Sequence, residues 1–477
     1  MKTNFNIFKT INYSVLSESD ITQIHYATLD ILKNVGNRIF SEEALELLKK
    51  AGCKVEGNIV KVPPHLVEKA LLTVPKQVTI FNRDGKKAME VEGEAVFFGT
   101  GPTTPFTLDI YTGERRLTTT KDIELHAKVA DSLPNIDFVM PLGSVSNVPK
   151  DKSDLYEFAE TIKFTKKPIP FVVWNRENLK TIVEIASIFS GGQDGLIEKP
   201  FIISFPEPIS PLTHPREAVE VLLYSAEIGL PAAYYTDPTL GANGPLDIYG
   251  SVIQGNAECL MGLVMSQLKR EGAVYIMGAA IAPLNMSNGL INYGSPEFLL
   301  ANSAYTKVCQ YYGIPTWDTG GSTDSNSIDE QAALESALCT FMAAISGNNF
   351  IHDLGYMERC LTGSAEMLVM QEEIVGFVKR IIEGVDSSND KEVRSLISQC
   401  GPGGHYLNTD HTYKNFRKLW NPELLNKESY EVWKQNGSIS FREKLNKKTK
   451  ELVESYKQVE LDNNVIDEIN NIIKKNN

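Results

Sequence analysis

The chain has 477 residues, 42% hydrophobic and 22% charged, with a formal net charge of −13. That acidity argues against nucleic acid as a partner, because phosphates ask for a basic face, and no run of about 18 apolar residues exists to cross a membrane as a helix. Six scattered cysteines without a CxxC read as reduced thiols, and the opening MKTNFNIFKTINYSVLSESD lacks the apolar core and cleavage site of a signal peptide, so a cytoplasmic protein is expected.

Ser17 to Asp20 form a capping-box pattern ahead of Ile21, Ile24, Ile31, Leu32 and Val35 on one helical face, and Gly36 stops that helix. A second helix begins at Ser41 and ends near Gly52. A third opens on Pro63-Pro64, where proline suits the first turn, and ends before Pro75. VTIFNRDGKK reads as a strand entering an Asp-Gly turn. Residues 1–92 are therefore expected to form a helical cap with a small β element over one end of the central domain.

Eight short apolar runs come next: AVFFGTG from Ala95, IDFVMPLG from Ile136, PIPFVVWN from Pro168, PFIISFPEP from Pro200, PAAYYTDPT from Pro231, AVYIMGAA from Ala273, PTWDTGG from Pro315 and NNFIHDLG from Asn348. Their starts lie 41, 32, 32, 31, 42, 42 and 33 residues apart. That spacing holds one strand, one helix and two connections, so the α/β class and a (β/α)8 TIM barrel over residues 93–385 are expected. Past Gly384 the composition turns polar. Residues 386–477 read as a helical C-terminal extension whose last stretch carries Val453, Tyr456, Val459, Val465, Ile469 and Ile473. The sequence leaves open whether it docks on its own barrel, on a second subunit of a homo-oligomer or on a partner protein.

P-loop, zincin, nucleophile-elbow and dinucleotide-binding motifs are all absent. His352 with Cys360, and His405 with His411, are the nearest approach to metal-ligand pairs, and neither has a second pair to complete a tetrahedron, so no metal is expected. The runs end in Phe97-Phe98, Trp174-Asn175, Phe205 with Glu207, Tyr234-Tyr235 with Asp237, Trp317-Asp318, and His352-Asp353 with Tyr356. Strand alternation lets about half of these reach the barrel mouth, and each alone reads as core or turn. Together, aromatic rings and carboxylates at one mouth suit a cation held over aromatic faces. A quaternary ammonium is the extreme case, having no N–H to donate. The segment Asp318 to Ser325 reads as a loop lining a polar pocket. His352 is either a satisfied core histidine or a donor to a substrate carboxylate.

Three segments, DTGGSTDSNSIDEQAALES from Asp318, NNFIHDLGYMERCLTGS from Asn348 and GPGGHYLNTDHTYKNFR from Gly401, resemble the trimethylamine methyltransferase superfamily, as does LSESDITQIHYATLDILKNVG from Leu16. The resemblance covers essentially the whole chain. It implies a barrel that passes a methyl group from an amine to the cob(I)alamin of a separate small corrinoid protein, with no cofactor bound permanently. The founding members depend on pyrrolysine, which this chain lacks, so it resembles the branch acting on glycine betaine, proline betaine, carnitine and γ-butyrobetaine. A quaternary nitrogen leaves as a neutral tertiary amine, and no general acid is then obligatory. On this reading Trp174, Tyr234, Trp317 and Tyr356 form the ammonium cage, and Glu207, Asp237 or Asp318 supplies negative charge. His352, Asn175 and Thr323 hold a betaine carboxylate. A zinc-dependent corrinoid methyltransferase and a non-catalytic betaine-binding protein are the rival readings.

Overall fold

A computed structural model describes residues 13–386, 389–457 and 461–476. Val459 and the first dozen residues of the opening segment lie outside the described residues. Seven of the eight apolar runs form one parallel sheet. Its spatial order is Phe97–Thr100, Phe350–Leu354, Thr316–Thr319, Tyr275–Ala279, Ala232–Thr236, Ile202–Ser204 and Ile169–Phe171. The remaining run, from Ile136, lies between the two edge strands. Gly99 bridges to Phe138 in parallel, and Val139 N donates to Pro168 O at 2.9 Å. It carries no regular ladder because side chains take over part of the pairing. Asp137 Oδ2 accepts from Phe98 N at 2.9 Å, and the Thr100 hydroxyl accepts from Met140 N at 2.7 Å. The result is a mixed α/β, barrel-like ring.

Both faces of the strands are buried, as a parallel sheet between helices requires. One row points inward: Phe97, Phe138, Ile203, Phe205, Ala233, Tyr235, Ile276, Trp317 and Phe350 share one apolar cluster. Gly99 lacks a Cβ where any Cβ would run into the Phe138 ring, so glycine is what lets that ring fill the lumen. The other row, Tyr234 and Tyr275 among it, packs on the long helix Ile248–Lys269 and its neighbours.

The N-terminal helices start as the sequence predicts: Ser17 caps Glu18–Asp30 through a capping box, Ser41 caps Glu42–Lys50, and proline opens Pro64–Thr73. Their position differs from the expectation of an end cap. All three pack on the outer side of the helix Ile248–Lys269. That contact accounts for the nearly all-round burial of this helix, whose apolar surface faces the sheet on one side and the added layer on the other. It is the hairpin Val78–Phe81 with Lys87–Val91 that sits under the amino ends of the strands. Phe81 N donates to Pro200 O, and Ile80 and Met89 join the inward cluster.

Two C-terminal helices dock on the ring of the same chain. Phe441–Glu454 buries Leu445 against Ala365–Glu383 and Thr120–Ser132. Asn463–Lys475 buries Ile469, Ile472 and Ile473 against Ser153–Phe164 and Arg176–Ile188. Among the described residues no helix is long and apolar enough to cross a membrane.

Candidate active site at the carboxyl ends of the strands

In-register pairing fixes which side chains face one another. Tyr235 pairs with Gly278, Gly278 with Trp317, and Thr319 with His352. Inside the ring this brings together Phe205, Tyr235, Trp317 and His352. The centroids are 5.3 Å apart for Phe205–Tyr235, 5.2 Å for Phe205–Trp317, 5.5 Å for Trp317–His352 and 5.3 Å for Tyr235–His352. The Tyr235 hydroxyl lies 2.8 Å from the Thr319 hydroxyl. Trp317 also stacks on Phe350 at 4.8 Å, is 1% exposed, and its Nε1 has no hydrogen-bond partner.

The sequence-level assignment of Tyr234 is corrected by one residue. Tyr234 points away from the lumen, with its hydroxyl 2.7 Å from His214 Nδ1 and its ring stacked on that imidazole. Asp318 is likewise on the outer row. Its Oδ1 accepts from Thr319 N and its Oδ2 from Asn348 Nδ2 at 2.7 Å, and burial pushes its carboxyl well above the usual carboxylate range. Asn175 caps the helix Arg176–Ile188, accepting from Asn178 N at 2.9 Å. Thr323 donates to Glu335 Oε2 at 2.7 Å. Trp174 is 43% exposed and donates from Nε1 to Ser153 Oγ at 3.0 Å, outside the aromatic cluster. Tyr356 is buried over Gly101, where a Cβ would meet its ring, and donates its hydroxyl proton to Pro102 O.

Three carboxylates gather at this end. Glu207 stands between Pro206 and Pro208 just past the strand Ile202–Ser204, and Asp237 just past Ala232–Thr236. By accessible surface both residues are exposed, although protein atoms crowd around their carboxyls. Burial raises Glu207 to about 8, with the charges of Asp237 and Asp353 adding to the shift. Burial and then Glu258 raise Asp237 to about 6. Asp353 is also raised by burial, against the opposing effects of His352 and of the Thr319 and Tyr356 hydroxyls. Its Oδ1 has no hydrogen-bond partner. Among the described residues, no lysine or arginine makes an ion pair with any of the three. The single ion-pair distance is 3.2 Å from His352 Nε2 to Asp353 Oδ1. His352 Nδ1 lies 2.9 Å from Asp318 O, a carbonyl that only accepts, so Nδ1 carries its hydrogen.

Backbone strain accompanies the site. Asp353 has φ 73°, and Glu358, Arg359 and Cys360 come after it at 53°, 58° and 66°. Non-glycine residues in that region cost of order 1–3 kcal/mol each and persist where neighbours enforce them. Here the enforcing contacts are main-chain hydrogen bonds: Glu358 N donates to Ser325 O and Arg359 N to Thr323 O. Asp324 in turn accepts from Tyr293 N and Gly294 N, which ties down the loop carrying Tyr293. Burial raises the Tyr293 hydroxyl, with Cys360, Asp353 and Asp237 adding to the shift. Tyr235, Asp353, Thr319 and Tyr293 are thus site residues that strand-end reasoning did not select. The parity set by Trp317 points to Tyr235 and Thr319, whereas no sequence signal marks Tyr293. Among the described residues, no three of His, Cys, Asp and Glu gather as a metal-ligand group.

Known proteins resemble this chain over nearly its whole length. The sequence profile of the trimethylamine methyltransferase (MTTB) family matches residues 3–477. The chain is 31% identical to the glycine betaine methyltransferase of Desulfitobacterium hafniense strain Y51, over 88% of each chain. It is 28% identical to the trimethylamine methyltransferase MttB of Desulfitobacterium hafniense strain DCB-2, over 92% of this chain and 89% of that one. Among solved structures it is similar to the monomethylamine methyltransferase MtmB of Methanosarcina barkeri, with a TM-score of 0.45 and 14% identity, covering 95% of this chain and 97% of that one.

Proposed function

Because the chain belongs to the trimethylamine methyltransferase family, a family of methyltransferases, we propose that it moves a methyl group from a quaternary ammonium to the cob(I)alamin of a small corrinoid protein in the cytoplasm. The observation that carries the substrate half is the recess itself, in which Glu207, Asp237 and Asp353 stand beside aromatic rings and, among the described residues, no lysine or arginine is paired to them. Such a site pulls in a cation and offers it π-faces. We read the ring as a (β/α)8 barrel of residues 93–385, with residues 1–92 and 386–477 as additions to it. The strand carboxyl ends are where such barrels place their chemistry.

The acceptor's Co(I) supplies the nucleophile. Its electron pair goes to the methyl carbon, the N–C pair stays on nitrogen, and no proton moves. The chain's own residues orient and dehydrate the donor. Tyr235, Trp317 and Tyr356 wall the ammonium, and the carboxylates balance its charge. That charge disappears as the N–C bond breaks, so the carboxylates favour capture of the cation over its transition state. The same change releases a neutral amine that the recess no longer attracts. Orientation and exclusion of water are worth several kcal/mol in such a displacement, on the order of 7–11 at the upper limit.

The test is a panel of quaternary amines with cob(I)alamin, scored by loss of the Co(I) absorbance and by mass detection of the tertiary amine. Turnover with at least one quaternary amine and little with trimethylamine is expected. Equal turnover of trimethylamine, or none with any member, overturns the reading.

A further inference from the structure

We infer that this chain associates with a second copy of itself, the helix Asp390–Cys400 of one copy lying in an apolar groove on the outer face of the other. The inference is independent of the methyl-transfer reading.

The helix comes first. Past the helix Ala365–Glu383 the chain enters an arm in which none of residues 389–421 is buried. The segment GPGGHYLNTDHTYKNFR from Gly401 is part of that arm. Asp390–Cys400 has 11 residues and buries none, yet Val393, Leu396, Ile397 and Cys400 recur at the spacing of one helical face. Val393 and Ile397 stand 39% and 53% exposed. A helix this short is marginal in water alone, and packing of such a stripe is what stabilises it.

The groove comes second. Between the helices Glu330–Ile345 and Ala365–Glu383 lies a cavity of about 400 Å³, lined by Leu338, Phe341, Phe377 and Ile381 and by Leu425 and Phe441 of the returning chain. Leu338, Phe377 and Ile381 are exposed. An amphipathic helix laid along an apolar groove is a recurrent mode of recognition. One polar atom marks this groove. Glu373 lines it, and its Oε1 accepts from Glu423 N and Leu424 N, whereas its Oε2 is buried without a partner. A buried carboxylate oxygen left open calls for a donor from outside.

Charge identifies the occupant. Residues 390–420 hold five lysines and arginines against three aspartates and glutamates, in a chain whose net charge is −13. Lys414, Arg417 and Lys418 are the densest of them. The groove helix Glu330–Ile345 carries Glu330 and Glu335 and no lysine or arginine. The arm therefore complements the acidic body of its own kind in both charge and apolar pattern. Because each copy carries both halves of the contact, the exchange closes as a two-fold pair.

Sedimentation velocity of the full chain at micromolar concentration tests this. The parent is expected to sediment as a dimer or a closed multiple of it. Ile397→Asp in the stripe and Leu338→Asp in the groove should each weaken association at least roughly hundredfold, since either puts an unpaired carboxylate into the contact. Both side chains are exposed in the single chain, so circular dichroism and melting curves of the variants should match the parent's. Mixing the two variants should restore association, because the intact stripe of one meets the intact groove of the other. A monomeric parent, variants that stay associated, or a mixture that stays apart overturns the inference. So does a monomeric parent whose arm variants lose only affinity for a corrinoid protein, which would make that protein the occupant.

Discussion

At the amino ends of the strands, Asp137 accepts from Phe98 N and lies 3.3 Å from Lys379 Nζ. Glu372 accepts from the Asn135 main chain, and Lys167 Nζ donates to the carbonyls of Ala130 and Leu133, each at 2.7 Å. Burial pushes Lys167 down to about 8 and Glu372 up to about 7, and each feels opposite charges nearby. At the carboxyl ends, burial raises Glu207, Asp237 and Asp353 as well, but among the described residues none has a lysine or arginine partner: Glu207 feels Asp237 and Asp353, Asp237 feels Glu258, and Asp353 has only the His352 imidazole beside it. One end of the ring balances its buried charges within the chain. The other leaves them unbalanced, which is unfavourable for folding and useful only if a cation arrives from outside. The division matches the general one in barrels between a stabilising face and a binding face.

The largest expected effect breaks the paired end. Lys379→Met leaves Asp137 buried without its ion-pair partner, with only the charge of Lys167 still nearby, and removing one partner of a buried pair lowers stability by about 3–5 kcal/mol. Chemical denaturation measures this. Cation affinity of the folded protein should be unchanged, and a loss below about 1 kcal/mol would show that the two ends do not differ as argued.

At the unpaired end the sign reverses with pH. A carboxyl whose folded pKa lies above its unfolded one holds its proton longer in the folded state. Its contribution favours folding at low pH and is lost as pH rises toward the folded value. Glu207 and Asp237, raised to about 8 and about 6, should therefore lower stability between about pH 4 and about pH 8. Binding of a quaternary cation should rise over the same interval, because the ionised carboxylates attract it and the ligand itself does not titrate. A cation that lowers Glu207 by about one unit gains about 1.4 kcal/mol, roughly tenfold in affinity. Glu207→Gln should flatten both curves, and a flat titration in the parent protein would remove Glu207 from the recess.

Tyr234 and Tyr235 carry the contrast down to adjacent residues, and they show where sequence reading stops. The eight-run spacing made the ring legible, because unit length is a property of local chain. The phase of each strand was not legible. A run such as PAAYYTDPT is buried on both faces, so hydrophobicity carries no alternation, and a slip of one residue reverses every side chain. Asp318 was misread for the same reason. The N-terminal helices were read correctly as helices, but nothing local says which surface they cover. Asp353 escaped selection because its role depends on a left-handed backbone that only the surrounding loops enforce. The two tyrosines supply the test. Tyr234→Phe leaves His214 Nδ1 without its partner and should lower stability by about 1–2 kcal/mol with no change in cation affinity. Tyr235→Ala should weaken cation binding instead. The opposite assignment of the two effects would put the register in error.

Asn175 tests the boundary of the site with the smallest effect. It sits beside Trp174 at the end of the third run, where a carboxylate-holding role was expected. Its side-chain oxygen instead accepts from Asn178 N and starts the helix Arg176–Ile188. Replacing such a cap by alanine typically lowers stability by about 1 kcal/mol, because a main-chain N–H of the first turn loses its acceptor. Asn175→Ala should therefore lower the denaturation midpoint slightly and leave choline and glycine betaine affinities where they were. Asn175→Asp or Asn175→Ser, which keep a capping oxygen, should recover the stability. A selective loss of betaine binding in Asn175→Ala, with stability unchanged, would move the site outward to the Trp174 rim.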